Sequence, residues 1–224
     1  MHAVNSRQRL DRFLIDARLN AFEADVSWGF VSGAPGVLLP IMAHPPIEQS
    51  DLTFEEWLDG ALAGERVVKV DIKDPPTNRA VLDILERRDL PRDRFILNAD
   101  VALGPGGDPP LFSADDAVEW RRRFGEVVIS IGCTTGPDRA PYGAGHLDLM
   151  LEAASAVGEP ATICLDVHRV ESDPSVLERL AAARRHVTLW NQHAADAALF
   201  RRYRAALPGA FIDLFDGLRD PIVE

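Results

Sequence analysis

Apolar and polar positions along the 224 residues switch between two periods. Leu10, Phe13, Leu14 and Ala17 recur at helical spacing with charged residues between them. That spacing predicts a helix over residues 5–20, capped by Asn5 or Ser6. Period two takes over in Ala21-Phe-Glu-Ala-Asp-Val-Ser-Trp28. A strand there puts Glu23 and Asp25 on one face and Phe22, Ala24 and Val26 on the other. A turn at Ser32-Gly-Ala-Pro-Gly36 leads into a second apolar strand, Gly36-Val-Leu-Leu-Pro-Ile-Met-Ala-His44, which ends in a histidine and a proline pair. Thr53-Phe-Glu-Glu56 has the form of a capping box and predicts a helix to about Ala63, where Gly64 stops it.

From there strand and helix alternate. Strands are predicted at 66–73, 95–103, 126–134, 161–168, 186–191 and 211–215, with helices at 78–88, 113–124, 146–157, 174–184 and 195–207. Such alternation is the mark of a parallel sheet with crossover helices. Short Val/Ile/Leu strands with polar C-terminal ends favour a closed (β/α)8 TIM barrel, one α/β domain over 1–224. An open doubly wound sheet is the runner-up. Gly104-Pro-Gly-Gly107 reads as an ordinary loop and not as a phosphate-binding fingerprint. With only Met1 ahead of His2, the first barrel strand is expected to be truncated.

Composition narrows the partners. The chain carries 35 acidic and 24 basic residues, a formal charge of −11, which argues against general nucleic-acid binding or adhesion to an anionic membrane. No run is long and apolar enough to span a bilayer, and no signal pattern opens the chain, so a soluble, cytoplasmic protein is expected. Cys133 and Cys164 do not make a disulfide framework and read as packed core thiols.

In a barrel, polar residues at the C-terminal strand ends meet over one mouth. Here these include His2, Glu23, Asp25, His44, Lys69, Asp71, Lys73, Asn98, Asp100, Asp166, His168 and Trp190. Paired carboxylates on one face repel unless something positive lies between them, and a divalent cation with oxygen ligands meets that need. Glu23, Asp25 and Asp71 are the expected ligands. Such a set supports phosphoryl transfer: the cation polarises a phosphodiester oxygen and Lys73 adds positive charge. His2 and His44, one neutral and one protonated, would be base and acid.

These residues also carry a resemblance. His2-Ala-Val-Asn5, Glu23-Ala-Asp25, Pro40-Ile-Met-Ala-His-Pro-Pro46, Lys69-Val-Asp-Ile-Lys73, Leu97-Asn-Ala-Asp100 and Leu189-Trp190 together resemble the menorin family. That family is similar in turn to the phospholipase-C-like phosphodiesterases, which include glycerophosphodiester phosphodiesterases and spider-venom sphingomyelinase D. The resemblance implies a TIM barrel and a magnesium or calcium ion on Glu23, Asp25 and Asp71. It also implies two catalytic histidines, His2 and His44, and a phosphate-facing Lys73. Attack by a neighbouring substrate hydroxyl, giving a cyclic phosphate, is the reaction it suggests. The implied substrate is a small-molecule or lipid phosphodiester, and Asn5, Asn98, Asp100 and Trp190 are the expected substrate-binding positions. Asn98 and Asp100 read equally as polar layers supporting the metal shell, and Trp190 as core packing. Three departures stand out: His-Ala-Val replaces the phosphodiesterases' His-Arg-Gly, the Glu-Asn-Thr motif of glycerophosphodiesterases is absent, and so is their small inserted domain.

Two rivals remain open. One is a non-catalytic barrel that keeps its metal and ligand site. The other is a metal-dependent lyase or aldolase using Glu23 and Asp25, which Lys73 and the histidine pair disfavour.

Overall fold

A computed structural model describes residues 2–17, 19–135, 140–190, 201–203, 205 and 211–213. The chain divides into two units, one built on residues 1–97 and the other on residues 98–217, with the boundary inside a strand.

The first unit opens with α1 (Arg7–Ile15), shorter at both ends than the periodicity predicts. Ser6 is the cap, its hydroxyl accepting from Arg9 N, and Asp16 is already extended. The Arg66 guanidinium donates to the carbonyls of Leu14, an acceptor that the helix end leaves open, and Leu19 in the link to β1. Next come β1 (Ala21–Val31), β2 (Ala34–Met42) and the two-residue β3 (Gln49–Ser50). The capping box at Thr53 and Glu56 forms as expected and starts α2 (Phe54–Leu62). Then follow β4 (Val67–Ile72) and α3 (Pro75–Glu86), whose cap is Asp74. Strand β5 (Phe95–Ala102) crosses the boundary.

Within this unit β1 and β4 run parallel, Glu23 opposite Lys69 and Asp25 opposite Asp71. The strand leading to His44, reached through the turn after β1, stands outside the β/α alternation and returns antiparallel on β1, from Val31 opposite Ala34 to Val26 opposite Met42. Residue parity reports which face a side chain takes and carries no information on strand direction. The chain then crosses back over β1, where Phe30 N donates to the Glu48 carbonyl. Gly29 permits this crossing, since a Cβ there would lie 2.5 Å from the Glu48 carbonyl oxygen. Phe22, Ala24 and Val26 are fully buried, as are Phe54, Trp57, Leu58 and Val70; Trp57 meets Phe22 edge-on.

The second unit continues with α4 (Ala114–Phe124), β6 (Val128–Cys133), α5 (Ala144–Val157) and β7 (Ala161–Asp166). A short α6 (Val167–Ser172) precedes α7 (Ser175–Ala182), β8 (His186–Trp190) and β9 (Phe211–Asp213). Strands β6 to β9 pair in parallel in chain order. His168, expected at a strand end, sits instead in α6, because the Asp166 side chain accepts from His168 N and caps a helix there. The helix predicted over 195–207 lies mostly outside the described residues. The architecture is α/β with mostly parallel strand pairing.

Candidate functional site

The site is built where the parallel pair β1/β4 ends. Backbone groups of even residues in β1 bond toward β4, and Lys73 N extends that ladder by donating to the Val26 carbonyl. Odd residues bond on the other edge, and two separate pieces of chain serve them, residues 2–5 and the end of the β2 run. Val4 N donates to the Glu23 carbonyl, Asn5 Oδ1 accepts from Asp25 N, and Ala43 N donates to the Asp25 carbonyl. Residues 2–5 therefore lie along β1 where the truncated first strand was expected, with one backbone bond and one side-chain mimic of a strand bond.

Three carboxylates converge on this edge. Glu23, Asp25 and Asp71 are buried, and each offers an oxygen within 4.8 Å of the others. Their cations are close at hand. Lys73 Nζ lies 2.6 Å from Asp71 Oδ2 and 3.1 Å from Asp25 Oδ1. His2 Nδ1 lies 2.8 Å from Glu23 Oε2, which also accepts from Ala3 N at 2.8 Å. A carboxylate only accepts, so Nδ1 of His2 carries the proton in this contact. Ala3 holds a left-handed φ of 54°, a strained conformation that these bonds keep in place. Arg9, itself buried, donates to the His2 carbonyl and holds the segment from behind.

His44 is exposed, one residue beyond the Ala43 bond to Asp25. Its Nδ1 donates to the Pro45 carbonyl at 2.6 Å. Burial alone would raise the Asp25 carboxyl, but Lys73 foremost, then His44, His2 and the Asn5 amide, hold it well below the usual carboxylate range. Asp25 is thus ionised at neutral pH. Three buried carboxylate oxygens of one cluster are a donor set suited to a hard, oxygen-seeking cation.

A family model for the menorin N-terminal domain matches residues 1–207. The chain belongs to the menorin N-terminal domain family. This menorin domain is 33% identical over 141 residues to human protein FAM151B, a match covering 60% of the chain and 49% of that relative. It thus spans about half the length of the curated relative it matches. A solved structure described as an L-alanine-DL-glutamate epimerase from Burkholderia xenovorans strain LB400 is similar at a TM-score of 0.55 and 15% identity. That likeness covers 95% of the menorin domain and 53% of the solved chain, and it shows a barrel-like α/β fold alone.

Of the residues singled out from the sequence, the first unit brings together His2, Asn5, Glu23, Asp25, Asp71 and Lys73, with His44 at its rim. Asn5 is turned to Asp25, its Nδ2 donating to Asp25 Oδ2 at 2.8 Å, so both ends of its amide are engaged by one residue. Asn98, Asp100 and Trp190 belong to the second unit. There Asn98 Nδ2 donates to Asp100 Oδ1 at 3.2 Å, and Trp190 is half-buried opposite Asp166. A Cβ at Gly132 would come within 2.4 Å of Asp100 Oδ1, so the glycine makes room for that carboxylate. Sequence reasoning gave no role to Lys69 or Arg9. Lys69 is buried opposite Glu23 on the face of Asp71 and Lys73, and its period-two spacing with them was the available signal.

Proposed function

We propose that this menorin domain is a metal-dependent phosphodiesterase acting by two-histidine acid–base chemistry. One arrangement carries the reading: three buried carboxylates within reach of a single cation, flanked by Lys73, His2 and His44. Glu23, Asp25 and Asp71 would hold a divalent cation, magnesium or calcium, which when bound supplies polarisation of a phosphoryl oxygen. Lys73 places an ammonium against the anionic diester. Glu23 fixes the His2 tautomer, so Nε2 takes the proton of the attacking hydroxyl as its oxygen bonds to phosphorus. His44, held through Nδ1, gives a proton from Nε2 to the departing oxygen as that phosphorus–oxygen bond breaks. A neighbouring hydroxyl of the substrate as nucleophile yields a cyclic phosphate.

The test is hydrolysis or cyclisation of generic phosphodiesters, with and without chelator, by the wild type and by His44→Ala. Chelation should abolish turnover, and His44→Ala should slow it by about 10²- to 10⁴-fold. Activity that survives both treatments overturns the reading. A second reading, a barrel that binds metal and ligand without turnover, is favoured by Ala3, which stands where the similar phosphodiesterases carry arginine. Cation-dependent stabilisation with no turnover of any diester would select it.

A further inference from the structure

Of the chain's 24 basic residues only two are lysines, Lys69 within β4 and Lys73 just past its end, both on the face of Asp71. Everywhere else the chain uses arginine. An arginine spreads its charge over a planar fork, whereas a lysine is a compact point charge that fits between close carboxylates. Lys73 is accounted for by its contacts with Asp71 and Asp25. Lys69 has no part in the chemistry above. It is 2% exposed and stands opposite Glu23 in the parallel register, two residues deeper along the strands than the pair Asp25 and Asp71. Partners in register on neighbouring strands lie about 4.8 Å apart and share a face, so Lys69 is set beside Glu23 at the base of the cluster. An ammonium group taken out of water is costly unless carboxylates match it, and on this face those are Glu23, Asp25 and Asp71.

We propose that Lys69 is a positioning residue that sets the charge of the cation site, loosening its hold on the cation and leaving the loaded site positive toward an anionic substrate. Histidines aside, three carboxylates against two ammonium groups leave the cluster one negative charge. A divalent cation reverses that to one positive charge, which a monoanionic phosphodiester neutralises. Without Lys69 the loaded cluster is already neutral, and a diester brings it an unmatched negative charge in a buried place. Like charges repel, so the same ammonium group that favours the diester opposes the cation. The match to a diester rests on the phosphodiesterase reading above. The effect on the cation rests only on Glu23, Asp25 and Asp71 as its ligands.

The test is calorimetric titration of magnesium or calcium into the cation-free chain, then of dimethyl phosphate into the cation-saturated chain, for wild type and Lys69→Met. Lys69→Met should bind the cation at least about tenfold more tightly and dimethyl phosphate at least about tenfold more weakly. Its melting temperature should fall below that of the wild type without cation and recover when the cation is saturating. Lys69→Gln should move all three in the same directions, which keeps the test open if the apolar variant does not fold. Affinities for cation and diester that fail to move in opposite directions, or a loss of stability that is equal with and without cation, would overturn the proposal and leave Lys69 a structural partner of Glu23. Absence of cation binding by the wild type would overturn it together with the metal-dependent reading. Opposite shifts without turnover of any diester keep the role of Lys69 and reject the catalytic reading alone.

Discussion

Asn5 grips Asp25 twice, its amide nitrogen donating to the carboxylate at 2.8 Å and its amide oxygen accepting the backbone N–H at 2.9 Å. Removing it leaves a buried N–H and a carboxylate oxygen each short of a partner. Asn5→Ala should therefore cost about 1–3 kcal/mol of folding stability in a denaturant titration. Asn5→Asp should cost more, because it sets a second carboxylate at hydrogen-bond distance from Asp25. Wild-type midpoints for both variants would contradict this role.

The proposed metal site can be tested separately from folding. A cation that binds only the folded state at a hundred times its dissociation constant adds about 2.7 kcal/mol. Magnesium or calcium should raise the melting temperature of the wild type, and Asp71→Asn should still fold but show no such rise. A variant that responds to the cation as the wild type does would remove Asp71 from the ligand set.

Acid should unfold the first unit through Asp25. Its carboxyl is held below the ordinary value of 3.8, so the unfolded chain takes up its proton first as pH falls. The stability it contributes is complete above that ordinary value and is lost as pH drops toward the lower folded value. Lys73→Met removes the foremost cause of the depression, so the acid midpoint followed by circular dichroism should move to higher pH. An unmoved midpoint would show that Lys73 does not stabilise the ionised Asp25.

Cys133 should be inert in the folded chain. Burial first, then Asp100 and the neighbouring Cys164, push its thiol up to about 12, so no appreciable thiolate exists at pH 8. A disulfide reagent at that pH should label it only after denaturant is added. Because the folded value lies above the ordinary 9.0, its contribution to stability is whole below 9.0 and declines as pH rises toward 12. Rapid labelling of native protein would show that the thiol is accessible.

Local devices were legible in the sequence. The Thr53–Glu56 capping box and the alternation along β1 follow from spacing over a few residues, and of the two caps offered for α1, Asn5 and Ser6, the structure uses Ser6. The carboxylate cluster was legible because parity on β1 and β4 sorts Glu23, Asp25 and Asp71 onto matching faces. Strand direction was not legible from parity, which antiparallel β2 shares with a parallel strand, although the turn between the two strands pointed to an antiparallel pair. Nor was the task of Asn5, which depends on a contact 20 residues away that no local pattern encodes. Asp166-Val-His168 continued a strand pattern and hid a helix cap. At Ser113 the capping box uses Asp116 in place of the usual Glu, which concealed it.

Because His2 is moored to Glu23 and its carbonyl to Arg9, any polypeptide joined ahead of it must emerge beside the carboxylates. A purification tag placed there would sit beside Glu23, Asp25 and Asp71. Retained or trimmed leading residues thus become a variable of chemistry as well as of handling, and a fusion at the opposite terminus is the one that leaves His2 as the sequence sets it.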